Sequence, residues 1–169
     1  MSLLHDAYTA LLSGLTYKEN GKIKWVDEWG NDIWITIIDT DKEEYYCEYA
    51  NGDKFWYQEG KLHRLDGPAV ERTDGNKLWF QNGQLHRLGG PAVEYTSGNK
   101  CWYQKGKRHR IDGPAVEQAN GNKVWYQEDK RHREDGPAVE YINGDKEWYI
   151  NGKELTKEEF NKVKNVYTT

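Results

Sequence analysis

The sequence predicts an all-β fold: an elongated antiparallel sheet of tandem β-hairpin repeats, with a short capping helix at each end. Three observations predict it, namely a strict repeat of 23 residues, two turn signals in every copy, and aromatic columns that keep the same step.

The repeat is read directly from its anchors. His63, His86, His109 and His132 recur at that step, each followed by Arg (Arg64, Arg87, Arg110, Arg133). The phrase Gly-Pro-Ala-Val-Glu recurs in register at 67–71, 90–94, 113–117 and 136–140, as do Trp56, Trp79, Trp102, Trp125 and Trp148. Only 36% of residues are hydrophobic while 14% are aromatic, so the core must be made by a few large rings, which suits a thin sheet.

The first turn signal is Asn51-Gly52, Asp74-Gly75, Ser97-Gly98, Asn120-Gly121 and Asn143-Gly144. Read as two-residue hairpin loops, these set Val70 opposite Trp79 and Ala69 opposite Phe80. The same reading pairs Val93 with Trp102, Val116 with Trp125, Val139 with Trp148, Cys47 with Trp56 and Tyr46 with Tyr57. It puts the Trp column on the Val face as core. Tyr57, Phe80, Tyr103, Tyr126 and Tyr149 then lie on a half-solvated face with Glu71, Glu94, Glu117 and Glu140, where Cys101 stands opposite Glu94 as an unreactive thiol.

The second signal is Glu59-Gly60, Asn82-Gly83, Lys105-Gly106, Glu128-Asp129 and Asn151-Gly152. It precedes a short strand that breaks at the Gly-Pro step, because proline has no N–H for a ladder. Whether residues 61–68 pair as a third strand is open at this level.

The ends differ from the repeats. Leu3, Leu4, Ala7, Tyr8, Leu11 and Leu12 form a helical stripe over residues 1–15. Residues 16–48, with Ile33, Ile35 and Ile37 alternating, read as a degenerate leading repeat before the regular array of 49–152. In 153–169, Thr156 and Glu159 form a capping box, and Phe160, Val163 and Tyr167 continue an apolar stripe. Terminal helices would cover the open strands of such an array.

Composition narrows the function. The net charge is −4, from 24 basic and 28 acidic residues interspersed along the chain, so no basic footprint for nucleic acid is present. Two cysteines without CxxC spacing set no disulfide framework and point to a reducing cytoplasm. The first residues carry His5 and Asp6 within their apolar stretch and do not read as a secretory leader, and no segment reads as a membrane span.

His-Arg-x-Asp could be read as a base, an anion clamp and an orienting carboxylate. A catalytic set is needed once, however, and this one recurs, with Gly89 in place of Asp in one copy. The expectation is therefore no catalytic residue and no cofactor, with His and Arg pairing to acidic neighbours on adjacent units. Equivalent residues two strands apart stand roughly 10 Å from each other, too far for one metal ion to bridge, so no metal is expected. The aromatic ladder Tyr57, Phe80, Tyr103 and Tyr126, with Arg110, is the candidate partner-binding surface, against ordinary sheet packing as the alternative.

These phrases resemble the His-Arg-x-Asp-Gly-Pro-Ala repeats of tailed phages and giant viruses, and look like diverged MORN repeats over residues 45–152. The regular Gly-x-Gly positions of MORN are missing. The resemblance implies a twisted hairpin array that binds proteins. It further implies a viral protein acting in the host cytoplasm on a host protein or complex, such as an inhibitor of an antiviral system of the anti-CRISPR kind. The rival expectation is a small-ligand-binding or hydrolytic protein that uses one divergent His-Arg copy.

Overall fold

The computed structural model describes residues 17–167 except 20, 21 and 28. The N-terminal helix expected over 1–15 lies outside the described residues. The chain divides into two compact units, 1–84 and 85–169.

In the first unit, β1 (Tyr17–Glu19), β2 (Lys22–Val26), β3 (Asp32–Asp39), β4 (Glu44–Tyr49) and β5 (Lys54–Gln58) form an antiparallel meander. β7 (Val70–Glu71) and β8 (Lys77–Leu78) extend that sheet from β5, while β6 (Lys61–Leu62) folds back on β5, and β9 (Phe80–Gln81) follows. The alternation seen at Ile33, Ile35 and Ile37 builds the core here. Ile23, Ile33, Ile35, Tyr45 and Cys47 are buried together, with Trp25, Ile37, Tyr49 and Tyr57 packed around them. Burial pushes the Cys47 thiol up to about 12.

β10 (Gln84–Leu85) spans the division between units. In the second unit β11 (Val93–Glu94), β12 (Lys100–Cys101), β15 (Val116–Glu117), β16 (Lys123–Val124), β19 (Val139–Glu140), β20 (Lys146–Ile150) and β21 (Lys153–Leu155) pair in that order, all antiparallel. Two side hairpins, β13 (Tyr103–Gln104) with β14 (Lys107–Arg108) and β17 (Tyr126–Gln127) with β18 (Lys130–Arg131), show that the stretch after the second turn is a third short strand. Helix α1 (Lys157–Tyr167) is the only helix among the described residues. It opens on the expected capping box: Thr156 N–H donates to Glu159 Oε2 at 2.8 Å, and Glu159 N–H to Thr156 Oγ1 at 3.2 Å. Phe160 of α1 is buried.

The hairpin register departs from the sequence expectation by one residue. The first turn is a three-residue loop, closed in the second copy by Arg72 N–H to Asn76 O at 3.0 Å and Gly75 N–H to Arg72 O at 2.9 Å, with Gly75 at φ +87°. Only the last loop residue needs the left-handed region, so a type I turn with a glycine bulge forms in place of a two-residue loop. Both residues of the second turn have positive φ, as in Asn82 (50°) and Gly83 (77°), and that turn is the two-residue one.

Val70 therefore faces Leu78, not Trp79, and Cys47 faces Phe55, not Trp56, while Tyr46 faces Trp56 in place of Tyr57. Val93 and Val116 both face Cys101, which does not stand opposite Glu94, and Val116 and Val139 both face Val124. A slip of one residue exchanges the faces of a strand. Tyr103 and Tyr126, two residues beyond Cys101 and Val124, thus belong to the Val face, and Trp102 and Trp125 lie with the Glu column. The physical reason is charge: Glu71 pairs with Lys77 and Lys54, and Glu117 with Lys100 and Lys123, whereas the expected register would set Arg72 against Lys77.

Ile35 and Trp29 bracket the energetic range of this fold. Replacing the fully buried Ile35 by Ala should cost about 2–5 kcal/mol in urea unfolding. Trp29, 77% exposed at the tip of the β2–β3 hairpin, should change stability by no more than about 0.5 kcal/mol on replacement by Ala.

Candidate functional site

Each His-Arg dipeptide sends its two side chains to different tasks. Arg110 lays its guanidinium over the Trp102 ring, with Cζ 4.1 Å from the centroid. Its Nε donates to Asp112 Oδ1 at 3.0 Å, and Nη1 donates to Pro114 O at 3.2 Å and Glu117 Oε1 at 3.1 Å. Arg64 does the same with Trp56, Asp66, Pro68 and Glu71, and Arg133 with Trp125, Asp135, Pro137 and Glu140. Arg87 reaches Pro91 O and Glu94. The acids that the arginines engage belong to their own loop and following strand, not to a neighbouring unit as the sequence reading supposed, whereas His109 does meet an acid of the next unit, its Nδ1 lying 2.9 Å from Glu128 Oε1.

The motif's glycine completes this clamp. A Cβ on Gly113 would stand 2.8 Å from Arg110 Cζ, and one on Gly67 would stand 2.9 Å from Arg64 Cζ. The guanidinium therefore lies against a bare backbone.

The histidines hold turns. Nδ1 of His63, His86, His109 and His132 accepts the backbone N–H of Asn82, Lys105, Glu128 and Asn151, at 3.2, 3.1, 3.4 and 3.0 Å. These four acceptors fix the first residue of four of the five second turns, where φ is positive and a non-glycine residue is strained. Where Asp129 replaces the turn glycine, its Oδ1 accepts from Arg108 Nε at 2.8 Å and Arg108 N–H at 3.1 Å. At the opposite edge, Asp53, Asn99 and Asn122 accept the N–H of Thr73, Ala119 and Ile142 from the next loop. Among the described residues no group of three His, Cys, Asp or Glu side chains is gathered as a metal site would require.

The proposed ladder is largely engaged within the sheet. Tyr57 stacks on Tyr45 with ring centroids 5.2 Å apart, and burial raises its hydroxyl pKa. Tyr126 is only 9% exposed, with Arg108 Cζ 3.9 Å from its ring centre. Phe80 and Tyr103 are half-buried. Arg110 meets this ladder only through its backbone N–H, which donates to Tyr126 O at 3.1 Å.

The sequence reading missed the residue between Arg and Asp. Leu65, Leu88 and Ile111 are 77%, 78% and 78% exposed. Arg110 and Asp112 turn toward each other across the clamp, so the residue between them is turned outward; Leu65 is placed likewise. An aliphatic residue at that position in three of the four copies, in a loop of charged and turn residues, was the available signal. No known protein family and no curated protein matches the chain.

Two outcomes follow from the clamp. Arg110→Ala should destabilise by about 1–3 kcal/mol, Lys should not restore it because it lacks the planar fork, and Gly113→Ala should add little in the Arg110→Ala background. Chemical unfolding of the four proteins of that cycle reads the coupling, and full additivity would contradict the packing of the guanidinium on Gly113.

The second outcome concerns acid. Asp66 and Asp112 are held below the ordinary carboxylate range first by their arginines, and Asp53 first by the Thr73 N–H. A depressed folded value contributes stability that is complete above the unfolded value, near pH 4, and lost as pH falls through the folded one. The share of urea stability owed to these carboxylates should therefore be complete at about pH 5 and above, and stability should decline as pH falls below about 4. A rise on acidification would contradict it.

Proposed function

We propose that the chain is a protein-binding repeat module, not an enzyme, and that it makes contact through the exposed tips of its His-Arg-x-Asp loops. The observation that carries this reading is the aliphatic residue, more than three-quarters exposed, at the same position of three successive copies. Burying one such side chain gains about 1.5–3 kcal/mol, and loops fixed by a three-bond clamp need little ordering on association. Repetition of the same bonds around Arg64, Arg110 and Arg133 supports a structural use of the His-Arg dipeptide over a catalytic one. In this reading Tyr57, Phe80, Tyr103 and Tyr126 serve packing. The finer form, a viral inhibitor of a host factor in the host cytoplasm, is supported by the resemblance of the repeats alone.

The second unit offers the test, because it holds both Leu88 and Ile111. Replacing both by Ser should leave circular dichroism and melting unchanged and weaken capture of the partner at least about tenfold, or about 1.4 kcal/mol. Undiminished capture by that variant, together with loss on Tyr103→Ser and Tyr126→Ser in a folded protein, would return the contact to the aromatic ladder.

A further inference from the structure

In the second unit a groove of about 530 Å³ runs between two loop tips, Arg110 to Pro114 on one side and His132 to Asp135 on the other, with Trp125 and Gln127 between them. Its chemistry is decided by which charges are free. Arg110 and Arg133 are mostly buried, and each is bound to two carboxylates and a carbonyl. Among the residues that line the groove, the two arginines stand against three acids, Asp112, Glu134 and Asp135, which leaves one negative charge in excess. Asp112, Glu134 and Asp135 project into solvent at the rim, and Glu134 is bonded to no arginine, its one ion-pair contact being His132 Nε2 at 3.5 Å. Beside them stands Ile111, with its side chain in water.

A groove with an aliphatic lip and, at its rim, one carboxylate, Glu134, that is bonded to no arginine fits a long cationic side chain. The methylene stem of Lys or Arg packs along Ile111 while the head reaches Glu134, and neighbouring aliphatic residues of the same segment cover what remains of the lip. Nucleic acid and anionic lipid are repelled by the same rim. The first unit repeats the construction independently: a groove of about 310 Å³ has Ile38 and Leu65 as exposed aliphatics and Glu44 and Asp66 as acids, with Arg64 clamped inside.

We infer that the partner of the second-unit groove is an extended segment of a protein in which lysine or arginine alternates with aliphatic residues. This rests on the protein-binding reading above and names the class of its partner.

The test uses the full chain and labelled synthetic peptides followed by fluorescence anisotropy: one alternating Lys and Leu, one alternating Ser and Leu, one alternating Lys and Ser, and one alternating Glu and Leu. The Lys–Leu peptide should bind best and lose affinity as salt is raised. Glu134→Lys and Ile111→Ser should each weaken it about tenfold, which is about 1.4 kcal/mol, with unchanged melting temperatures. Failure of the Lys–Leu peptide to bind, or equal binding by Glu134→Lys, overturns the inference. So does tight binding of Lys–Ser that ignores Ile111→Ser, which is charge attraction without a groove. Preference for Ser–Leu that Ile111→Ser abolishes also overturns it, yet leaves the protein-binding reading standing. That reading fails separately, through undiminished partner capture by the Leu88 and Ile111 double variant.

Discussion

A single buried-edge guanidinium decides most of the motif around it. The sheet strands of the regular copies carry only two ladder residues each, as in β7, β12 and β15, too few to define a rigid layer by backbone pairing alone. Arg110 compensates by joining four places in the chain: the Trp102 ring, the Asp112 carboxylate, the Pro114 carbonyl and the Glu117 carboxylate. Gly113 must be bare because the guanidinium occupies the space of its Cβ. Four residue identities, Trp102, Asp112, Gly113 and Glu117, thus follow from one planar fork, and the same fork explains why lysine, a point charge with no flat face, does not suit the site. Removing water from the arginine is offset by two carboxylates and a carbonyl rather than one partner, which is the condition for such burial to be tolerated.

The neighbouring histidine works along the other direction of the array. Its Nδ1 ties a loop to the turn 19 residues on, while Asp53, Asn99 and Asn122 tie loops 20 residues apart at the opposite edge. The arginine therefore stabilises a copy internally and the histidine couples it to the next, the division between intrinsic and nearest-neighbour terms expected of repeat proteins. The strained positive-φ residues Asn82, Lys105, Glu128 and Asn151 sit where the histidine holds them, so coupling and turn geometry depend on each other.

Much of this was legible from residue order. The period, both turn positions, the alternation at Ile33, Ile35 and Ile37, and the Thr156–Glu159 capping box all appear where the sequence places them. The register was not, because an Asn-Gly or Asp-Gly pair suits a two-residue loop and also the end of a three-residue loop. The discriminating signal lay away from the turn, in the Glu71–Lys77 and Glu117–Lys123 pairs, which become neighbours in only one of the two registers. That slip exchanged the Trp and Tyr faces, and with them the candidate surface. The arginine clamp was hidden for a different reason: it runs between residues 8 before and 7 after Arg110, and neither periodicity nor propensity reports a side chain stacked across a loop.

With the clamp fixed, the tips of the loops are free to differ. The pairs are Leu65-Asp66, Leu88-Gly89, Ile111-Asp112 and Glu134-Asp135. Gly89 removes an exposed carboxylate while Arg87 keeps Pro91 O and Glu94, and Glu134 replaces an aliphatic tip with charge while Arg133 keeps the full set of bonds made by Arg110. Changes at the tip therefore leave the support beneath it intact. A scaffold whose internal bonds are indifferent to its outward residues can present a different chemistry at each copy without loss of fold. Under the proposed binding reading, that separation lets each tip contribute its own contact while the clamp beneath it stays the same.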